Sequence, residues 1–282
     1  MGKTILISSD TTCDLPKDIV ERYGISQIPL YISFGDESYL DSIEITPDEV
    51  YKRYRESGVL PKTAAVSIGD FIEYFKGLLT EAENVIHFSL SSALSCTYQN
   101  ATIAAEEFGG RVHVIDSMNL STGEGMSILY AAELAEAGTD CEEIVRLVQD
   151  YIPRIEGGFV VDSLEFLRKG GRCSALASLG ANLLSIKPSI LVRDGKMDVG
   201  KKYRGKFKAV LGKYFEEILA DGPYDSHRAI VTHAGCDPEI VDFAYNLVKE
   251  SGLFEEVLLT RAGCTISSHC GPDTLGAFVI RK

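Results

Sequence analysis

Apolar runs alternate with amphipathic ones along the first half of the chain. Lys3–Asp10 (KTILISSD) reads as a buried strand, and a helix is expected from Asp14 and Pro16 through IVERYG to a stop at Gly24. Ile28–Phe34 predicts a second strand. Thr46–Glu49 (TPDE) has the form of a capping box with proline at the first helical position, so a helix should run to about Gly58. Ser67 and Asp70 open another through FIEYFKGLL. Then come a strand at Asn84–Phe88, a helix after SCTYQ, a strand at Arg111–Asp116 and a helix from about Thr122 to Ala137. Thr139 and Glu142 predict a further capped helix that ends before Pro153. Such alternation predicts βαβ units around a mainly parallel sheet with helices on both faces.

The pattern changes after about Gly157. A Gly/Ala/Ser-rich helix is expected over Ser174–Ile186, followed by short hairpin strands that turn at Asp194–Lys196. A helix over Val210–Ala220, the strand RAIVTHA, a helix from Asp237 and Pro238 to Gly252, and the strands EVLLTRAG and GAFVIRK complete the chain. The fold class expected is therefore α/β in two domains: an N-terminal, mainly parallel α/β/α sheet domain over residues 1–157 and a C-terminal α+β domain over 158–282.

Charge narrows the function. The net charge of −13 argues against non-specific binding to nucleic acid or an anionic membrane surface. No apolar run is long enough to span a bilayer, and the run in MGKTILISSD is too short for a signal peptide, so no integral membrane segment and a cytoplasmic location are expected. Seven cysteines without any Cys-x-x-Cys pair read as reduced, mostly buried thiols.

Candidate chemistry begins at SLSSALSCTYQNA (Ser89–Ala101). Five hydroxyl residues, Ser89, Ser91, Ser92, Ser95 and Thr97, crowd a strand-to-helix turn that carries no Lys or Arg. Open parallel sheets bind ligands at such turns, where free N–H groups favour a negative oxygen, although one hydroxyl is needed merely to cap the helix. KTAAVSIGDF (Lys62–Phe71) is a second hydroxyl-bearing turn ahead of a helix. LRKGGRCS (Leu167–Ser174) and KKYRGKFKA (Lys201–Ala209) are the dense basic stretches; each is either a solvated face or a site for an anion or acidic partner. CTISSHCGPDTLG (Cys264–Gly276) reads as a loop bearing His269, with no standard zinc spacing. The chain has no Walker phosphate loop, no dinucleotide fingerprint after a strand and no Gly-x-Ser-x-Gly elbow.

SSDTTCDLP, KTAAVS, SSALSCTYQNA, VIDSMNLSTGEG, LRKGGR with LGANLLSIKP, KYRGKFKA and SSHCGPDTLGAF, in this order, resemble the DegV proteins of bacteria over essentially the whole chain. The resemblance implies a non-catalytic lipid carrier, without a cofactor or metal, that holds one long-chain fatty acid such as palmitate in a buried tunnel. It further implies a partner: the ATP-binding subunit of a fatty acid kinase, which phosphorylates the bound carboxylate. By motif, Thr63 and Ser95 would hold the carboxylate with His269 nearby, while Arg172 and Arg204 would serve the phosphoryl step or kinase docking. Neutral hydroxyls would then orient the head group without an internal salt bridge, while the tail supplies most of the affinity. The chain departs from the family pattern at Cys96, where glycine usually follows the binding serine, in the Ala-Ala-Val middle of KTAAVS, and at Cys264 and Cys270.

Two other readings compete. One is a Ser–His acyl hydrolase using Ser95 and His269. The other is a binding module for another small anion, which an interior of only a few hundred Å³ would favour over a lipid tunnel.

Overall fold

The computed structural model describes residues 3–179 and 186–282. The strands are β1 (Lys3–Asp10), β2 (Ser26–Ile28), β3 (Tyr31–Phe34), β4 (Glu37–Leu40), β5 (Lys62–Ala64), β6 (Ala82–Ser89), β7 (Val112–Asp116), β8 (Ile155–Val161), β9 (Lys187–Arg193), β10 (Lys196–Tyr203), β11 (Arg228–His233), β12 (Glu256–Arg261) and β13 (Thr274–Ile280). The helices are α1 (Lys17–Tyr23), α2 (Pro47–Ser57), α3 (Ile68–Leu78), α4 (Thr97–Ala105), α5 (Thr122–Glu136), α6 (Cys141–Tyr151), α7 (Glu165–Gly170), α8 (Phe207–Ala220), α9 (Pro238–Glu250) and α10 (Cys264–Cys270).

The expected mixed α/β architecture is present. An all-parallel sheet runs β2-β1-β6-β7, and a mixed six-stranded sheet runs β10-β9-β8-β13-β11-β12. The strand β8 straddles the division expected at residues 157 and 158. Helices α3 and α4 pack on one face of the parallel sheet through Phe71, Phe75, Ala101 and Ala104. Helix α5 lies between the two sheets, touching β1 and β6 on one side and β8, β11 and β13 on the other. Burial of most of α5 follows from that position and explains why it carries no clear polar stripe. Helices α8 and α9 cover the outer face of the mixed sheet through Val210, Phe215, Val241 and Val248.

Capping signals located several helices well. Thr46 accepts from Glu49 N, Ser67 accepts from Asp70 N, and Gly58 takes the left-handed conformation that ends α2. Other expectations need correction. Asp140, not Thr139, caps α6 through Glu143 N. Asp14 does not cap α1, which begins at Lys17; its carboxylate is engaged by Ser121 and Gly263 instead.

The single strand expected over Ile28–Phe34 is two strands, β2 in the parallel sheet and β3 in a separate antiparallel sheet ordered β4-β3-β5. Pro29 has no N–H to continue a ladder, so the chain changes sheets there. That third sheet absorbs Lys62–Ala64, which the sequence pattern places in a turn. Of the helix expected over Ser174–Ile186, residues 174–179 form a 3-10 turn and residues 180–185 lie outside the described residues. Finally, Cys264–Cys270 is a short helix rather than a loop.

Candidate functional site

Three segments far apart in sequence meet beside α10. Thr63 stands on β5, opposite Ile32 of β3, and its Oγ1 lies 2.9 Å from Nε2 of His269 in the last turn of α10. Ser95 sits in the loop between β6 and α4. Thr63, Ser95, His269 and Arg172 all line one cavity of about 280 Å³. Leu30, Ala64, Ala65, Leu90, Leu94 and Met197 supply most of its apolar wall. Leu120, Ile266 and Cys270 are shared with a narrow apolar annex of about 20 Å³ that continues to Phe159 and Phe278 between the sheets.

The tertiary structure thins out the crowd of hydroxyls at the β6–α4 turn. Ser89 donates to buried Asp10 at 3.2 Å and Ser91 donates to the Gly195 carbonyl at 2.8 Å, so both serve the fold. Ser92 is exposed. Ser95 Oγ contacts Thr97 Oγ1 at 2.8 Å and accepts from Thr97 N, which leaves Ser95 as the hydroxyl of this turn that borders the cavity. Cys96 follows it at φ −83°, an ordinary conformation that does not demand glycine, and its exposed side chain lines the same cavity.

Arg172 brings a positive charge to this cavity: its exposed guanidinium borders it while one nitrogen donates to the Gly170 carbonyl at 2.9 Å. Arg204 lies elsewhere, in an open groove of about 660 Å³ with Lys201, Lys202 and Lys213. The two arginines therefore do not share a pocket.

No hydrogen bond joins Ser95 to His269, whose Nδ1 is buried against Gly170. The hydrolase reading thus lacks the nucleophile–base contact. Burial, followed by the Arg172 charge, pushes His269 down to about 4, with the Gly170 backbone opposing, so the ring is neutral at pH 7. An unfolded chain takes up this proton near pH ~6.5. The stability contributed by the neutral ring is present above that pH and is lost as pH falls toward about 4. The His269 Cε1–H proton resonance should accordingly stay flat from pH 8 to 5 and move only near about 4; a midpoint near the ordinary value would contradict this electrostatic picture.

Sequence reasoning missed two features. Asp41, fully buried, accepts from Cys264 N at 2.8 Å and Thr265 N at 3.0 Å and so anchors the start of α10. Thr265 itself lines the cavity. Reading this segment as a loop hid the i,i+4 relation that places Thr265 and His269 on one helix face.

Comparisons with known proteins agree with this architecture. A family model described as an uncharacterised protein, DegV family, matches residues 4–282. A DegV domain-containing protein of Caldanaerobacter subterraneus is 37% identical over 284 residues, with 99% of each chain covered. A Thermotoga maritima protein named fatty acid-binding protein is 32% identical, with 96% of each chain covered. A solved structure described as showing fatty acid binding by a DegV family protein of Thermus thermophilus has a TM-score of 0.90 at 33% identity, covering 99% of this chain and 100% of that one. On the match across nearly every residue, and on a fold shared with that structure, this chain belongs to the DegV family.

Proposed function

We propose that this protein is a non-catalytic carrier that binds a long-chain fatty acid. The carboxylate sits among Thr63, Ser95 and His269, and the tail follows the apolar annex. The single observation that carries this reading is the convergence of Thr63, Ser95 and His269 on one cavity whose apolar walls continue inward to Phe159 and Phe278. Fatty-acid binding by similar proteins from Thermotoga maritima and Thermus thermophilus supports it. A hydroxyl bond to a charged oxygen contributes about 1.5–3 kcal/mol, whereas each buried methylene contributes about 0.8 kcal/mol, so over a long chain the tail dominates affinity. The head-group side chains then set orientation and leave the carboxylate chemically available.

Presentation of the acid to a separate ATP-dependent fatty acid kinase in the cytoplasm completes the proposal. Arg172 at the cavity mouth is suited to a developing acyl phosphate, and the groove holding Arg204 with three lysines is suited to an acidic surface of the kinase.

One observation favours a second reading. The cavity of about 280 Å³ is small, so a long tail requires the annex walls to separate, while a small organic anion would fit as the cavity stands. Native mass spectrometry of protein purified from a bacterial host, before and after adding palmitate or oleate, tests the two. A retained or newly bound long-chain acid is the expected result. No uptake of either acid, with binding of short acids instead, would favour the second reading.

A further inference from the structure

Three hydroxyls stand on α10, and only one of them is idle. Ser267 donates to the Ala262 carbonyl at 3.2 Å and Ser268 to the Cys264 carbonyl at 2.7 Å, so nearby backbone carbonyls satisfy both. Thr265 Oγ1 has no hydrogen-bond partner, although the residue is only 3% exposed. Thr265 also lines the cavity that holds Thr63, Ser95 and His269. A buried hydroxyl without a partner is costly, and few survive in folded proteins without a reason.

The position of this hydroxyl points to what it meets. Thr265 precedes His269 by one helical turn, about 6 Å along the axis. Helical side chains tilt toward the N-terminus, which brings the long imidazole back toward Thr265 and shortens the gap between their polar atoms. His269 Nε2 is already engaged with Thr63. A carboxylate held at Thr63 and Ser95 would share its cavity with Thr265, where an ordinary acyl chain offers only methylene groups.

We infer that the site selects fatty acids carrying a hydroxyl close to the carboxylate, read by Thr265. This rests on the fatty-acid reading above and narrows it to a ligand class. A hydroxyl at the α or β carbon both donates and accepts, so it satisfies Thr265 Oγ1 in either direction. An unsubstituted acid leaves Thr265 stranded against hydrocarbon, and a site with a buried polar group discriminates against the ligand that fails to pair with it.

The test measures the affinities of palmitic acid and of α- and β-hydroxypalmitic acid for delipidated protein and for Thr265→Val, whose side chain keeps the shape and removes the hydroxyl. Expected is a preference of about tenfold for at least one hydroxy acid in the natural protein, falling to about one in Thr265→Val. The ligand-free variant should also be at least as stable as the natural protein in urea, because it removes an unpaired buried hydroxyl. Equal affinities in the natural protein overturn the inference, as does a preference that survives in Thr265→Val or a clear loss of stability in that variant. If none of the three acids binds, it is the fatty-acid reading itself that fails.

Discussion

Replacing Thr63 by Val and Ser95 by Ala together is expected to weaken binding of every long-chain acid, whatever its length. Each hydroxyl bond to a carboxylate oxygen contributes about 1.5–3 kcal/mol, so each single change should raise Kd by about tenfold to a hundredfold. The double change should fall short of the product of the two, because both hydroxyls serve one head group. Thr63→Val also frees His269 Nε2, whose contact with Thr63 is 2.9 Å, so this variant should show the larger loss. Displacement of a fluorescent fatty acid measures the effect, with acids of several lengths as competitors. A double variant that binds palmitate as tightly as the natural protein would remove the head-group assignment.

The second large effect is expected at Asp41, far from the ligand in chain order. Its two carboxylate oxygens receive the N–H groups of Cys264 and Thr265, and Ser42 Oγ donates to it at 2.8 Å. Asp14 secures the preceding residue in the same way, through Gly263 N at 2.7 Å. Together they hold the start of the helix whose far end carries His269. Asp41→Ala strands two buried backbone donors, and each orphan costs about 1–3 kcal/mol, so a loss of roughly 3 kcal/mol or more is expected in urea unfolding. Asp41→Asn keeps one acceptor oxygen and should lose less. Ligand affinity should fall with Asp41→Ala even where the protein remains folded, because His269 and Thr265 both ride on α10. Stability unchanged to within about 0.5 kcal/mol would show that the helix start is held by something else.

The hydroxyl turns were legible for a local reason. Ser67 and Thr46 cap helices through donors three residues on, and such contacts are written into short stretches of sequence. The same stretches could not reveal which hydroxyls remain free. Ser89 and Ser91 look no different from Ser95 in SLSSALSCT, yet Asp10 and Gly195 consume the first two. Their partners come from β1 and from the β9–β10 turn, so the assignment depends on how distant segments pack. Arg172 and Arg204 illustrate the same limit, because two basic motifs that read alike line different pockets.

By itself the sequence determined the alternation of strands and helices, most of the caps, the acidic surface and the motifs that mark the family. Each of these is set by short-range periodicity, by backbone preferences or by composition, and none needs a folded partner. Only the tertiary structure decided that Thr63, Ser95 and His269 share a cavity with a cation at its mouth, and that Thr265 is left unpaired within it. Those facts depend on hydrogen bonds and packing between residues tens to hundreds of positions apart, such as Asp41 with Cys264. Hydrogen-bond satisfaction belongs to the whole fold, because a donor is free or engaged only after every neighbour has been placed.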